Sequence, residues 1–122
     1  MSIFFYDSYA IIEYINNNPT YRKYFEDHTG ILTMLNLLEV YYAVLKETGK
    51  EKADIVLETL YSFIVEPSKE TISNAMVFRF QQKKKDLSYA DCLGYMVALE
   101  RGIPFLTGDR QFEHFEHVAF MR

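Results

Sequence analysis

Cysteine is nearly absent from this sequence. Cys92 is the single cysteine among 122 residues. One thiol cannot form a disulfide within the chain or supply a CxxC zinc site, so both kinds of cross-link are excluded. The composition is consistent with a reducing compartment, and Cys92 is expected to be a small buried apolar residue.

Long hydrophobic runs are also missing. No stretch approaches the roughly 18 continuous apolar residues of a transmembrane helix. The first residues lack the basic region and the long apolar segment of a secretory signal. We therefore expect a soluble, cytoplasmic protein that does not bind membranes.

Proline and glycine are few, with three and five residues, and they are scattered along the chain. No repeat, low-complexity tract or flexible linker is present. Hydrophobic residues make up 49% of the chain, which suffices for one core of ordinary size and hardly for two. The sequence therefore predicts a single domain over residues 1–122.

Positive charge is not in excess, since the formal net charge is −4. A broad electrostatic grip on a nucleic-acid duplex needs many Lys and Arg side chains facing the phosphates. The composition argues against that mode of binding. Any phosphate binding is expected to be local or to be carried by a bound cation.

Short apolar segments alternate with segments that carry apolar residues at helical spacing. Helices between short buried strands are typical of a parallel sheet covered on both faces. We expect an α/β fold with three layers, α/β/α, around a short, mostly parallel central sheet, and a helical hairpin over residues 36–63. The predicted strands are Ile3 to Tyr6, Gly30 to Met34, Pro104 to Thr107 and Val118 to Phe120, with a strand-like pair at Ile64-Val65.

Four acidic residues are placed where such a sheet would bring them to one edge. Asp7 directly follows the first strand, and Asp109 follows the strand that ends at Thr107 by one glycine. Glu39 and Asp91 each lie three residues into a predicted helix. Sites in parallel sheets lie at the carboxyl ends of the strands, and helix amino ends can face the same edge. The sequence therefore predicts one acidic pocket.

Each acid also has a purely structural interpretation. Asp91 fits a capping box with Ser88, which stabilises a helix without any ligand and is the more frequent role for such a pair. Asp7 and Asp109 could cap helices or form turns, and Glu39 could lie on a narrow solvated face. Four unrelated caps at one edge are harder to explain than one pocket, but for each acid alone both interpretations stay open here.

Four segments resemble the motifs of a PIN domain, and the resemblance covers essentially the whole chain. PIN domains are the fold of a large class of metal-dependent ribonucleases that includes the VapC toxins of toxin–antitoxin pairs. Gln111 departs from the pattern, because some relatives carry a further acid at this place, so a fifth ligand is not supported. The segments are Phe4-Phe5-Tyr6-Asp7-Ser8, Asn36-Leu37-Leu38-Glu39-Val40, Leu87-Ser88-Tyr89-Ala90-Asp91-Cys92 and Leu106-Thr107-Gly108-Asp109-Arg110-Gln111-Phe112.

The resemblance implies an endoribonuclease that uses Mg²⁺ or Mn²⁺. Both ions prefer carboxylate and water oxygens, and a divalent cation neutralises the repulsion among clustered acids. A bound ion lowers the pKa of a coordinated water and stabilises charge on the phosphodiester. By this resemblance Asp7 and Asp109 are the main ligands, Asp91 is a direct or water-mediated ligand, and Glu39 orients metal-bound water.

Other residues and partners follow from the same resemblance. Ser8 and Thr107 are expected to orient the ligating carboxylates. The implied partners are an RNA substrate, a cognate antitoxin and a second copy of the chain, because the hairpin over residues 36–63 carries more Tyr and Leu than one small core uses. Candidates for holding RNA backbone are Arg79, Lys83, Lys84, Lys85 and Arg110, although a solvated helix end is the more common role of a lysine run.

A second class of function remains open at this stage. A PIN-like domain can serve as an interaction module that has little or no nuclease activity. The presence of all four acids argues against that alternative. Carboxylate-dependent binding of Mn²⁺ would distinguish the two.

Overall fold

A computed structural model describes residues 1–122. Three short 3₁₀ helices lie at Pro19–Tyr21, Tyr61–Phe63 and Arg110–Phe112. The strands and α-helices are β1 (Ile3–Tyr6), α1 (Ser8–Ile15), α2 (Arg22–Glu26), β2 (Thr29–Ile31), α3 (Met34–Thr48), α4 (Lys50–Leu60), α5 (Lys69–Gln81), α6 (Tyr89–Arg101), β3 (Phe105–Thr107) and β4 (Val118–Phe120).

The four strands form one parallel sheet in the order β2-β1-β3-β4. Tyr6 at the end of β1 pairs with Leu106 in β3, so the carboxyl ends of these two strands lie side by side. This arrangement confirms the predicted three-layer fold with a short parallel sheet. None of the helices combines the length and the apolar character needed to cross a membrane.

Hydrophobic side chains cover both faces of the sheet. Successive residues of a strand point to opposite faces, and Phe4 and Tyr6 accordingly pack into one cluster and Phe5 into the other. The first cluster joins β1 to side chains of α1, α3 and α4, whereas the second joins β1 and β3 to α6. Cys92 is fully buried in the second cluster, as predicted for the single cysteine of the sequence.

Helix α6 packs closely on the sheet because Gly94 has no side chain. A Cβ atom at Gly94 would lie 2.6 Å from Cε1 of Phe5, which is itself fully buried. Glycine inside a helix costs about 1 kcal/mol relative to alanine. The close approach of α6 to the ring of Phe5 accounts for glycine at this position.

The main difference from the predicted elements lies between β2 and α3. The strand predicted for residues 30–34 ends early, at Ile31, and Met34 already begins the helix. Thr33 and Asn36 form a capping box that starts α3 at this point. Glu39 therefore lies in the second turn of α3, further from the start of the helix than the predicted three residues.

Residues Ile64 and Val65 do not form a further strand of the sheet. Ile64 makes an isolated parallel bridge with Leu32, and the Val65 N–H donates to the Leu32 carbonyl at 2.9 Å. The predicted hairpin is present as α3 and α4, which meet at Gly49.

Candidate active site

Asp7 is a buried carboxylate at the carboxyl end of β1. It stands at the N-cap of α1, but its side chain makes no capping hydrogen bond. Its Oδ2 accepts a hydrogen bond from Thr107 Oγ1 at 2.6 Å, whereas its Oδ1 is buried without a partner. An unpartnered buried carboxylate oxygen is unfavourable, so this atom is a candidate ligand for a cation.

The pKa values of Asp7 and Asp91 show that the negative charges of neighbouring acids act on both carboxyl groups. Burial raises the pKa of Asp7 to about 8, with contributions from the charges of Asp91 and Asp109 against the hydrogen bonds from Thr107 and the Ser8 N–H. Burial also raises the pKa of Asp91 to about 6, with contributions from the charges of Glu39 and Asp109 against the hydrogen bonds from Ser88. The four acids therefore form one electrostatic cluster, which we call the acidic edge.

Asp91 is both a cap and a member of the acidic edge. The Ser88 N–H donates to Asp91 Oδ2 at 2.8 Å, and the Asp91 N–H donates to Ser88 Oγ at 3.0 Å. The capping box is thus formed. The two interpretations of Asp91 are compatible, because the charges of Glu39 and Asp109 also act on this carboxylate.

Thr107 connects Asp7 to the turn that carries Asp109. The Asp109 N–H donates to Thr107 Oγ1 at 3.0 Å, so the proton of this hydroxyl is directed to Asp7. Asp109 Oδ1 accepts a hydrogen bond from the Gln111 N–H at 3.0 Å and caps the 3₁₀ helix that follows. Asp109 is therefore also both a cap and a member of the acidic edge.

Glu39 reaches the acidic edge from the second turn of α3. Its side chain is exposed, and its Oε1 accepts a hydrogen bond from Ser8 Oγ at 2.6 Å. Ser8 directly follows Asp7, so this bond ties Glu39 to the start of α1. The hydroxyl of Thr107 thus contacts the carboxylate of Asp7, and the hydroxyl of Ser8 contacts that of Glu39.

The sequence did not single out Asn36 or Thr33 as site residues. Asn36 Nδ2 donates to Ser8 Oγ at 3.0 Å, and Asn36 Oδ1 accepts hydrogen bonds from Thr33 N–H at 3.1 Å and Thr33 Oγ1 at 2.8 Å. Both residues are almost entirely buried. One signal was available, because Asn36 is a polar residue on the helical stripe that continues with the buried Val40 and Val44.

Gln111 holds the loop before α6 through its side-chain amide. Its Oε1 accepts a hydrogen bond from the Asp86 N–H at 2.7 Å, and its Nε2 donates to the Asp86 carbonyl at 3.0 Å. A carboxylate could not reproduce this pair, because it has no N–H donor. Gln111 therefore ties the turn of Asp109 to the loop that leads to Asp91.

The basic candidates lie around the same loop. Arg79 Nε donates to the Leu87 carbonyl at 3.1 Å, and its guanidinium lies over the Tyr89 ring. This arginine therefore holds the start of α6 in place. The remaining four basic candidates have exposed side chains, namely Lys83, Lys84, Lys85 and Arg110.

The pattern of the PIN domain family matches residues 4–118 of the sequence. The chain belongs to the PIN domain family. No curated protein matches the sequence. The family predicted from the four motifs is thus confirmed.

Solved toxin structures share the fold of this PIN domain. A toxin–antitoxin complex from Klebsiella pneumoniae superposes with a TM-score of 0.74 at 16% identity, covering 98% of this chain and 96% of that chain. VapC20 of Mycobacterium tuberculosis, a toxin that cleaves the sarcin–ricin loop, superposes with a TM-score of 0.75 at 17% identity. The match covers 96% of this chain and 98% of that chain. VapBC2 from Rickettsia felis, bound to a promoter DNA fragment, superposes with a TM-score of 0.70 at 19% identity. The match covers 98% of this chain and 97% of that chain. The fold is therefore VapC-like.

The donor set of the acidic edge fits a hard, partly hydrated cation. No three His, Cys, Asp or Glu side chains converge closely enough to hold a metal ion together, so the four acids do not form one direct coordination shell. Mg²⁺ usually keeps several waters and is bound through one or two carboxylates. The unpartnered Asp7 Oδ1, beside like charges, meets that requirement.

Asp7→Asn is expected to make the stability of the metal-free protein less dependent on pH. The pKa of Asp7 is raised from 3.8 to about 8, so folding favours its protonated form. This contribution is complete below the unfolded pKa, declines as pH rises and is lost above the folded pKa. The wild-type melting temperature should fall between about pH 4 and pH 8, and that of Asp7→Asn should fall less.

Circular dichroism melts across this pH range measure the effect. Asparagine keeps an oxygen that accepts the hydrogen bond from Thr107, so the local packing is retained. Asp27→Asn at an exposed site is the matched control and should keep the wild-type dependence. Equal pH dependence in Asp7→Asn and wild type would contradict the assignment.

Proposed function

We propose that this PIN domain is a metal-dependent endoribonuclease that cleaves phosphodiester bonds of single-stranded or structured RNA. The observation that carries the proposal is the buried Asp7 carboxylate with its unpartnered Oδ1 and raised pKa. Strongly perturbed carboxylates that cluster at a sheet edge are characteristic of functional sites. The cofactor we propose is Mg²⁺ or Mn²⁺.

The proposed roles follow the hydrogen bonds at the acidic edge. Asp7 and Asp109 are the main ligands, and Asp91 binds directly or through water. Thr107 holds Asp7 Oδ2 and leaves Oδ1 for the cation. Ser8 holds Glu39 Oε1, so that Glu39 can orient metal-bound water through its other oxygen. When bound, the cation supplies an activated water and stabilises charge on the phosphate.

Basic side chains in and around the loop before α6 are proposed to hold the RNA backbone. The clamp between Gln111 and Asp86 fixes one end of the loop that carries the lysines. With a net charge of −4, the protein meets phosphate through the cation and these few groups. The residues are Arg79, Lys83, Lys84, Lys85 and Arg110.

Asp91→Asn and Asp109→Asn are expected to lose RNA cleavage without losing stability. Asparagine keeps an acceptor for the Ser88 N–H at one site and for the Gln111 N–H at the other. Removal of one repelling carboxylate relieves the metal-free acidic edge, so the melting temperature should stay equal or rise. Cleavage of single-stranded RNA with Mg²⁺ or Mn²⁺ should fall on the order of 100-fold or more.

A residue that serves only as a cap cannot produce opposite changes in stability and activity. Cleavage assays and melting curves on the same preparations measure both quantities. Glu113→Gln, at an exposed acid outside the acidic edge, is the control. Wild-type cleavage rates in Asp109→Asn, with unchanged metal affinity, would refute the proposal.

The second candidate function is a PIN-like interaction module that is catalytically weak. The absence of three converging ligands is the observation that favours it. Calorimetric titration with Mn²⁺ separates the two candidates. Binding that Asp7→Asn abolishes supports the nuclease, whereas no binding by the wild type supports the module.

We also propose that the protein is the toxin of a type II toxin–antitoxin pair. The similar structures from Klebsiella pneumoniae and Rickettsia felis are a toxin–antitoxin complex and a VapBC complex. The antitoxin is expected to insert an Arg or Lys into the acidic edge, where its charge replaces that of the cation. A small DNA-binding protein encoded in the adjacent reading frame is the expected partner. A structure of the complex with the acidic edge open to solvent would contradict this mode.

A homodimer is proposed from the exposed face of α3. Four large apolar residues form a stripe on this helix, and Leu38 and Tyr42 are 58% and 60% exposed. The other two are Met34 and Leu45. Contiguous apolar surface of this kind commonly marks an interface between copies.

Light scattering at micromolar concentration is expected to give the mass of a dimer. Leu38→Ser combined with Tyr42→Ser should shift the mass towards the monomer, because the change removes the apolar stripe. Ile3→Ser, at an exposed apolar residue outside α3, should not. A strictly monomeric wild type would count against the proposal.

A further inference from the structure

A buried chain of hydrogen bonds runs from the segment after β2 to Glu39. Its members are Thr33, Asn36, Ser8 and Glu39, in that order. The first three are 1%, 0% and 8% exposed. We call this chain the Asn36 relay. It joins the start of α3 to the start of α1, next to Asp7.

The direction of every hydrogen bond in the relay is determined by its donors. The Thr33 N–H can only donate, so the atom of Asn36 that faces it must be the carbonyl oxygen Oδ1. The amide nitrogen Nδ2 then faces Ser8 and can only donate to Oγ. The single hydroxyl proton of Ser8 is therefore left for the carboxylate of Glu39.

Two consequences concern the acidic edge. Glu39 Oε1 is held by a directed hydrogen bond, although the side chain is otherwise exposed. The proton of Ser8 is also unavailable to its neighbour Asp7, whose Oδ1 has no partner. The relay thus orients one carboxylate and leaves an oxygen of another free.

We propose that Asn36 is a positioning residue, which acts through Ser8 to orient Glu39 in the nuclease reaction. This inference rests on the proposed function of the acidic edge. The capping box of α3 requires only the oxygen of the Asn36 side chain. The amide nitrogen is not needed for the cap, and its hydrogen bond to Ser8 is the part that bears on the reaction.

Asn36→Asp separates the cap from the relay. Aspartate has the shape of asparagine and keeps the acceptor for Thr33, but when ionised it has no proton to donate to Ser8. Asn36→Leu is a second, neutral variant, in case a buried charge prevents folding. Both should lower kcat for RNA cleavage by about 10- to 100-fold, as is typical when a group that orients a ligand is removed, with a smaller change in KM.

Thr71→Val, at a buried threonine outside the relay, is the matched control. It removes a hydroxyl that donates to Glu100 Oε1 and leaves every hydrogen bond of the Asn36 relay intact. It should lower the melting temperature while kcat stays near that of the wild type. Equal losses of kcat in Thr71→Val and Asn36→Leu would show a structural role only and would overturn the inference.

A double-mutant cycle with Ser8→Ala tests whether Asn36 acts through Ser8. In the Ser8→Ala background, Asn36→Leu should have little further effect on kcat, because the connection to Glu39 is already broken. Independent, multiplying losses would overturn the inference. The coupling is calculated from the kcat values of the wild type, the two single variants and the double variant. Melting curves of the same four proteins check that each is folded.

Two further measurements keep this test distinct from that of the nuclease itself. The side-chain amide protons of Asn36 should be protected from exchange in the wild type and should lose protection in Ser8→Ala, as seen by NMR. A wild type that binds no Mn²⁺ and cleaves no RNA would overturn the proposed function and this inference together. An active wild type in which Glu39→Gln abolishes cleavage, but the cycle shows no coupling, would overturn this inference alone.

Discussion

The hydrogen bond from Thr107 to Asp7 joins the ends of two neighbouring parallel strands, and the geometry of the acidic edge depends on it. Asp7 directly follows β1, beside the end of the neighbouring strand β3, and it is 2% exposed. One oxygen is satisfied by this bond and the other is not. A carboxylate in such a position is stable only if it takes up a proton or a cation. The packing around Asp7 thus creates a site that requires either a proton or a cation.

Two hydroxyl groups act in the same way at this edge. Thr107 accepts a hydrogen bond from a backbone N–H and donates to Asp7, and Ser8 accepts one from a side-chain amide and donates to Glu39. The group that donates to Thr107 is a backbone N–H, so this hydrogen bond does not depend on residue type. The group that donates to Ser8 is the side-chain amide of Asn36, so the orientation of Ser8 and Glu39 depends on the identity of one side chain.

Sequence reasoning succeeded where the physics is local or periodic. Short apolar runs predicted the strands, and the rule for parallel sheets placed Asp7 and Asp109 at one edge. It misplaced the start of α3, because the capping box of Thr33 and Asn36 begins this helix before the predicted strand ends. The contact of Asn36 with Ser8 spans 28 residues, and that of Gln111 with Asp86 spans 25. Such pairs depend on tertiary packing, which periodicity and capping rules do not describe.

The apparent choice between cap and pocket at Asp91 reflects opposing electrostatic terms. The hydrogen bonds from Ser88 favour the ionised carboxylate, whereas burial and the charges of Glu39 and Asp109 disfavour it, and the resulting pKa is about 6. Asp7 has no cap bond and is more deeply buried, and its pKa is about 8. Burial and neighbouring negative charges thus raise the pKa of both acids, and they raise it more at Asp7 than at Asp91. The cap bonds favour the charged form of Asp91, which attracts a cation, whereas burial favours a proton on Asp7 that a bound cation would displace.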